Sequence, residues 1–180
     1  MSETAEHTRW YVLRDLKRRN ASRLAWHELG DAGIEVFTPM TEVLMNLGGK
    51  QQRRRLPVIQ DLLLARADKT TLDHYVDRLP NLQYRYRRGH SIDDPMTVRD
   101  DEMERFIRAT QATDTPEYYR PGEITPEMLG RRIRIIGGPV DGLEGSLLSL
   151  RGSRRKRILI EVPELLAVAV EVSPEFIRML

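Results

Sequence analysis

Apolar positions change their spacing several times along the chain, and each change marks an element. Trp10 to Leu13 is a continuous run of β-prone residues, which predicts a strand covered on both faces. Ala21, Leu24, Ala25, Leu29 and Ala32 then recur at helical spacing. Asn20 precedes them as an N-cap and Gly33 follows as the C-terminal stop. Ile34–Phe37 predicts a second strand, ended by Pro39. Residues 46–55, glycines followed by a charge run, predict a hairpin tip or mobile loop. Leu56 to Ala67 predicts a longer strand around Leu62-Leu63-Leu64-Ala65. Leu72, Tyr75, Val76 and Leu79 place a helix over 70–79. Leu82, Tyr84 and Tyr86 alternate with polar residues as a half-buried strand. Met103, Phe106 and Ile107 form the inner stripe of a helix over 100–109. The order β-α-β-β-α-β plus a helix is the split βαβ, ferredoxin-like arrangement of an α+β domain. Its helices lie on one face of the sheet and leave the other open.

Residues 111–126 are rich in Thr, Pro, Asp and Glu and read as a linker. Beyond them the texture changes to short β-branched runs separated by turn signals, which predicts a small β-barrel. The expected organisation is a first domain over 1–110, a linker over 111–126 and a barrel over 127–180. Between two strand-like runs lies Gly137-Gly138-Pro139-Val140-Asp141-Gly142-Leu143-Glu144-Gly145. Gly138, Gly142 and Gly145 suit the turns and close backbone approach of a barrel corner. A phosphate-cradling loop would need a following helix and a Lys-Ser/Thr pair, and neither is there. Pro163 to Ala169 has the composition of a helix start, but the β-branched runs on either side favour strand.

Composition narrows the function. Hydrophobic residues make up 40% and charged residues 31%, and the net charge is only +2. A protein held to nucleic acid chiefly by phosphate charge would need a larger basic excess. The chain has no cysteine, which removes disulfides, thiol catalysis and cysteine-ligated zinc. The polar N-terminus has no signal-peptide character, and no apolar run approaches a membrane span, so a cytoplasmic protein without membrane partner is expected. His7, His27, His74 and His90 lie at no metal-ligand spacing, and there is no nucleophile elbow. A non-enzymatic protein without cofactor is expected.

Several segments together carry a resemblance. IRIIGGPVDGLEGSLLSL resembles the KOW motif, with Gly138, Pro139, Gly142 and Gly145 at its signature positions. Pro121-Gly122-Glu123 is similar to a PGE element upstream of it. Trp10-Tyr11-Val12-Leu13, Gly33 to Pro39 and Asp100 to Glu104 resemble the opening strand, the second strand and the late helix of the NusG N-terminal (NGN) domain. Over nearly its whole length the chain therefore resembles the NusG-like transcription elongation and antitermination factors. The resemblance implies an NGN domain followed by an SH3-like KOW barrel. Where many members carry a proline- and aromatic-rich third strand, this chain has Leu62 and Leu64 in the aromatic positions. That is similar to the specialised paralogues that serve capsular-polysaccharide operons.

The resemblance also implies partners. NGN domains dock an apolar patch on the clamp helices of the largest RNA polymerase subunit and favour processive elongation. By family alignment that patch would comprise Trp10, Val12, Arg14, Leu62 and Leu64; by strand alternation the first three share one face, as do the two leucines. An exposed apolar sheet face is the physical form such a site takes; the competing reading is ordinary core. Thr70 and Thr71 stand where relatives touch the opposite jaw of the polymerase, although Thr70 also suits a helix N-cap. Arg53, Arg54 and Arg55 are candidates for DNA contact or a solvated charged loop, and Arg154, Arg155 and Lys156 for a nucleic acid (DNA or nascent RNA), a ribosomal partner or a solvated hairpin tip. The KOW barrel would recruit a ribosomal protein or a termination factor. The alternative function is an RNA-binding protein of translation that uses the barrel on ribosomal RNA.

Overall fold

The structure is a computed structural model that describes residues 7–18 and 21–180; Asn20, the expected N-cap, lies outside the described residues. The chain divides into two compact units, Met1–Arg99 and Asp100–Leu180. The first runs β1 (Arg9–Asp15), α1 (Ala25–Asp31), β2 (Glu35–Phe37), β3 (Met40–Leu47), β4 (Lys50–Pro57), β5 (Leu62–Ala67), α2 (Lys69–Arg78), β6 (Leu82–Tyr84) and β7 (Thr97–Val98). Among the described residues its main sheet has the order β2-β5-β1-β6, with β7 sharing the β6 edge of β1. All these pairings are antiparallel. This is the ferredoxin-like order expected from the pattern. One face is closed by the helices: Tyr11, Leu13, Leu63 and Ala65 pack with Ala25 and Leu29 of α1 and Leu72 of α2. Each fully buried leucine there contributes about 1.5–3 kcal/mol.

Asp15 ties this unit together. It is the one charged side chain buried among the described residues. Its carboxylate accepts hydrogen bonds from the backbone N–H of Ala25 at 2.6 Å, the backbone N–H of Lys17 at 3.0 Å and Asn81 Nδ2 at 2.8 Å. The end of β1, the start of α1 and the approach to β6 thus meet on one carboxylate. That explains why α1 begins at Ala25, later than the apolar stripe suggested: Asp15 satisfies its first N–H. The α1 C-terminus closes as expected at Gly33, whose φ of 79° suits glycine.

Three expectations are corrected. Residues 50–55 are strand, not loop: β3 and β4 pair over eight residues, from Met40↔Pro57 to Leu47↔Lys50. Gly48 and Gly49 have φ of 60° and 81°, the left-handed pair of a tight hairpin turn. The strand expected over 56–67 is broken, because β4 ends at Pro57 and the chain turns, with Leu62 N–H bonding Ile59 O, before β5. The N-cap of α2 is Asp68, not Thr70. Its carboxylate accepts from the Thr71 backbone N–H at 2.8 Å and the Thr71 hydroxyl at 2.7 Å, and a carboxylate at the N-cap also meets the helix dipole favourably.

The second unit comprises α3 (Asp100–Gln111), β8 (Glu117–Tyr119), β9 (Leu129–Ile135), β10 (Glu144–Leu148), β11 (Arg157–Val162), β12 (Leu166–Glu171) and β13 (Ile177–Met179). Its antiparallel sheet has the order β13-β9-β10-β11-β12-β8. The division of the chain falls eleven residues before the expected boundary. The reason is α3, whose Met103, Phe106 and Ala109 are buried and which packs on β11 and β12. Its Phe106 ring lies 6.4 Å from that of Tyr118, and Arg108 donates to the Asp141 carbonyl. The expected linker likewise contains β8, which pairs with β12 from Ala167↔Tyr119 to Ala169↔Glu117. Pro163 to Leu165 form a turn and Leu166 opens β12, so this segment is strand.

Two predictions follow from the first unit. Asp15→Ala leaves three donors without their acceptor and should lower unfolding free energy by about 2–4 kcal/mol, read as a shift of the urea midpoint at constant slope. The second concerns alkaline pH. The Tyr84 hydroxyl donates to Asp73 Oδ1 at 2.9 Å, and Lys69 Nζ holds the same carboxylate at 2.8 Å. Burial, with the hydrogen bond to Asp73, raises the Tyr84 pKa well above the phenol range. The Asp73 hydrogen bond likewise raises Lys69. Both folded values exceed the unfolded ones, so this stability is complete below pH ~10 and is lost as pH rises past it. Tyr84→Phe should cost about 1 kcal/mol at neutral pH and flatten the alkaline loss, measured by urea unfolding between pH 7 and 11.

Candidate functional site

Register settles which side chains share a face of the first sheet. Val12 pairs with Leu64, Arg14 with Leu62 and Trp10 with Arg66. Paired residues point to the same side of a sheet, so Trp10, Val12, Arg14, Leu62 and Leu64 lie together, opposite the face that α1 and α2 cover. Their exposure differs from expectation. Trp10 is 3%, Val12 0%, Leu62 2% and Leu64 0% exposed. The open apolar face inferred from the pattern is buried within the folded chain. A strand apolar on both sides requires cover on both sides, and here it has it. Arg14 alone reaches solvent, where Nε meets Asp61 Oδ2 at 3.1 Å. Asp61, in the turn before β5, gave no signal in the sequence, because a lone aspartate in a turn has many explanations.

Thr70 and Thr71 are exposed at the first turn of α2. The Thr71 hydroxyl is engaged by Asp68. Arg53, Arg54 and Arg55 are exposed on β4, in a strand and not at a loop tip. Arg53 Nη1 lies 3.6 Å from Glu42 on β3.

In the second unit the glycine-rich segment is the β9–β10 connection. Gly138 and Gly142 have φ of 72° and 78°, and Pro139 sits exposed between them. Gly145 serves a different purpose. A Cβ there would stand 2.2 Å from the Leu159 carbonyl oxygen and 2.9 Å from Ile160 Cδ1, so only hydrogen fits where β10 crosses β11. The Phe176 ring covers the Gly137 and Gly138 backbone, close enough that a Cβ on Gly137 would be 2.9 Å from it. Phe176 was legible only as part of a strand. Arg154, Arg155 and Lys156 occupy the exposed β10–β11 loop. Arg155 is paired with Glu171 at 2.9 Å.

Among the described residues no group of three or more His, Asp or Glu could hold a metal ion. No helix there is long and apolar enough to cross a membrane.

A ferredoxin-like sheet carrying a hairpin extension, followed by a β-rich unit with a GPVDGLEG corner, defines a chain of the NGN–KOW class. The sequence pattern of the family described as "Transcription termination factor nusG" matches residues 8–107, and the chain belongs to the NusG family of transcription termination and antitermination factors. It is 25% identical over 155 residues to the transcription termination/antitermination protein NusG of Pasteurella multocida (strain Pm70), covering 82% of this chain and 81% of that protein. A solved structure reported as "Domain interaction in Thermotoga maritima NusG" aligns over 97% of this chain and 98% of its own, at 14% identity and a TM-score of 0.45.

The corner glycines separate by substitution. Gly145→Ala must displace the Leu159 backbone and should cost at least about 3 kcal/mol. Gly142→Ala, with open space around it, should cost only the left-handed backbone term of about 1–2 kcal/mol. Thermal unfolding of the two variants beside wild type checks the order.

Proposed function

We propose that this chain docks on RNA polymerase through its first unit and promotes processive elongation, serving particular operons as a specialised member of its family. The observation that carries the reading is the co-facial set Trp10, Val12, Leu62 and Leu64, ending in the exposed Arg14–Asp61 pair. It lies on the sheet face away from α1 and α2, where the family places its contact with the clamp helices. Since the apolar members are buried, docking requires that face to be uncovered, and polymerase binds at the expense of its burial. Binding energy that first opens a closed surface appears as reduced affinity. Leu62 and Leu64, in place of aromatic residues, support the specialised branch.

In this reading Thr70 and Thr71 meet the opposite side of the polymerase cleft, and the bridge shifts its equilibrium toward the elongating state. The β4 arginines lie along the DNA. The KOW corner and its neighbouring strands recruit a further protein factor.

The test is binding of the full chain to core RNA polymerase free of nucleic acid. Wild type should bind. Arg14→Glu, a surface change that leaves the core alone, should bind roughly tenfold more weakly, about 1.4 kcal/mol. Failure of wild type to bind, with retained binding to ribosomal RNA, would replace this reading by that of a translation-linked RNA-binding protein.

A further inference from the structure

The start of α1 and the β3–β4 hairpin border an open cavity of about 350 Å³. Trp26 and His27 stand on the helix side. Met45, Leu47, Arg54 and Leu56 stand on the hairpin side. The eight-pair register puts Met45, Leu47, Arg54 and Leu56 on one face of the hairpin: Leu47 pairs with Lys50, Met45 with Gln52, Val43 with Arg54 and Thr41 with Leu56. The size and apolar character are those of a small-molecule site.

Two arginines, Arg54 and Arg55, line the cavity, and no Asp or Glu is among its described lining residues. Trp26 Nε1 is buried with no hydrogen-bond partner, and an indole N–H can only donate. The rings of Trp26 and His27 stack at 3.6 Å. His27 Nδ1 accepts the Leu24 backbone N–H at 3.2 Å, which leaves Nε2 to carry the proton of the neutral ring. Arg54 pairs in register with Val43 across the hairpin. The nearest carboxylate of β3, Glu42, turns to Arg53. A cavity with an apolar body, a stacked aromatic pair and two guanidinium groups is complementary to an apolar, planar anion.

We infer that this cavity binds a small aromatic carboxylate or sulfonate. The ring lies among Met45, Leu47 and Leu56 against the Trp26–His27 stack. The acid group meets the guanidinium of Arg54, which lines the cavity together with Arg55. The assignment stands on the cavity alone and is independent of polymerase docking.

The probe is 8-anilinonaphthalene-1-sulfonate, titrated into the folded full chain with 1-naphthoate as competitor. Saturable binding should appear at one site, with the dye displaced by 1-naphthoate and not by neutral naphthalene-1-methanol. Arg54→Glu, on an exposed strand position, should weaken binding roughly tenfold, the ratio carried by one charge-assisted hydrogen bond. In a ¹H–¹⁵N spectrum the Trp26 indole cross-peak should move on binding while that of Trp10 stays; Trp26→Phe assigns the peak. The inference is overturned if binding does not saturate, if Arg54→Glu binds as wild type does, or if the Trp26 peak does not move. It is equally overturned if an oligothymidylate displaces the dye and 1-naphthoate does not, which would give the cavity to nucleic acid.

Discussion

A single buried carboxylate organises the first unit. Burying an ionised Asp15 costs several kcal/mol unless its oxygens are saturated, and its three donors come from three separate parts of the chain. Because each donor is set by backbone or by a short side chain, the carboxylate fixes positions and not merely contacts. It sets where β1 stops, where α1 starts and how β6 approaches β1. The consequences reach both features of functional interest. The stop of β1 fixes the register that gathers Trp10, Val12 and Arg14 with Leu62 and Leu64. The start of α1 sets Trp26 and His27 against the hairpin. The apolar core would tolerate a helix shifted along its axis with modest loss, since burial is non-directional. The hydrogen bonds to Asp15 would not.

The hairpin obeys a different logic. The Lys50 to Arg55 part of its β4 strand has no apolar alternation and little intrinsic preference for a strand. What holds it is the Gly48–Gly49 turn, whose left-handed geometry matches the twist of the flanking strands, together with eight register pairs to β3. The apolar content sits almost wholly on β3 and at Leu56. By register, one face therefore combines Val43, Met45, Leu47 and Leu56 with Lys50, Gln52 and Arg54. Such a face is poorly satisfied by water alone and well satisfied by a partner with an apolar body and a negative end.

Much of this was legible. Trp10 to Leu13 announced a central strand because both faces were apolar. The glycine corner announced itself because Gly138, Gly142 and Gly145 answer distinct backbone needs. What escaped the sequence depends on long-range pairing or on competition between equivalent groups. The strand character of Arg53 to Arg55 is imposed by β3 and has no local signal. Asp68 displaced Thr70 as the cap because both suit the position, and only geometry shows that the aspartate reaches the Thr71 N–H. The residues of β8 look like linker because three residues on a sheet edge need little propensity when β12 supplies the ladder. The helix expected over 100–109 is present as α3, Asp100–Gln111. That it packs on β11 and β12 is a tertiary fact, and an amphipathic stripe does not say which surface it covers. The same limit applies to the Trp10 and Leu62 face: alternation identified its members, but whether they are covered depends on the rest of the fold.

Charge pairing explains why a chain so rich in arginine does not present a uniformly basic surface. Arg134 is held by Glu144, Arg155 by Glu171, Arg157 by Glu117, Arg23 by Glu28 and Asp31, and Arg53 by Glu42. Exposed pairs of this kind add little to stability. Their larger effect is on the field, since each removes a cation from the set able to displace counterions from a polyanion. With a net charge of +2, these pairs reduce the basic excess locally, while Arg54, Arg154 and Lys156 remain among the exposed cations. In the reading proposed above, the exposed arginines of β4 and of the β10–β11 loop stand among neutralised pairs, so that contact with nucleic acid would be local and not spread over the whole surface.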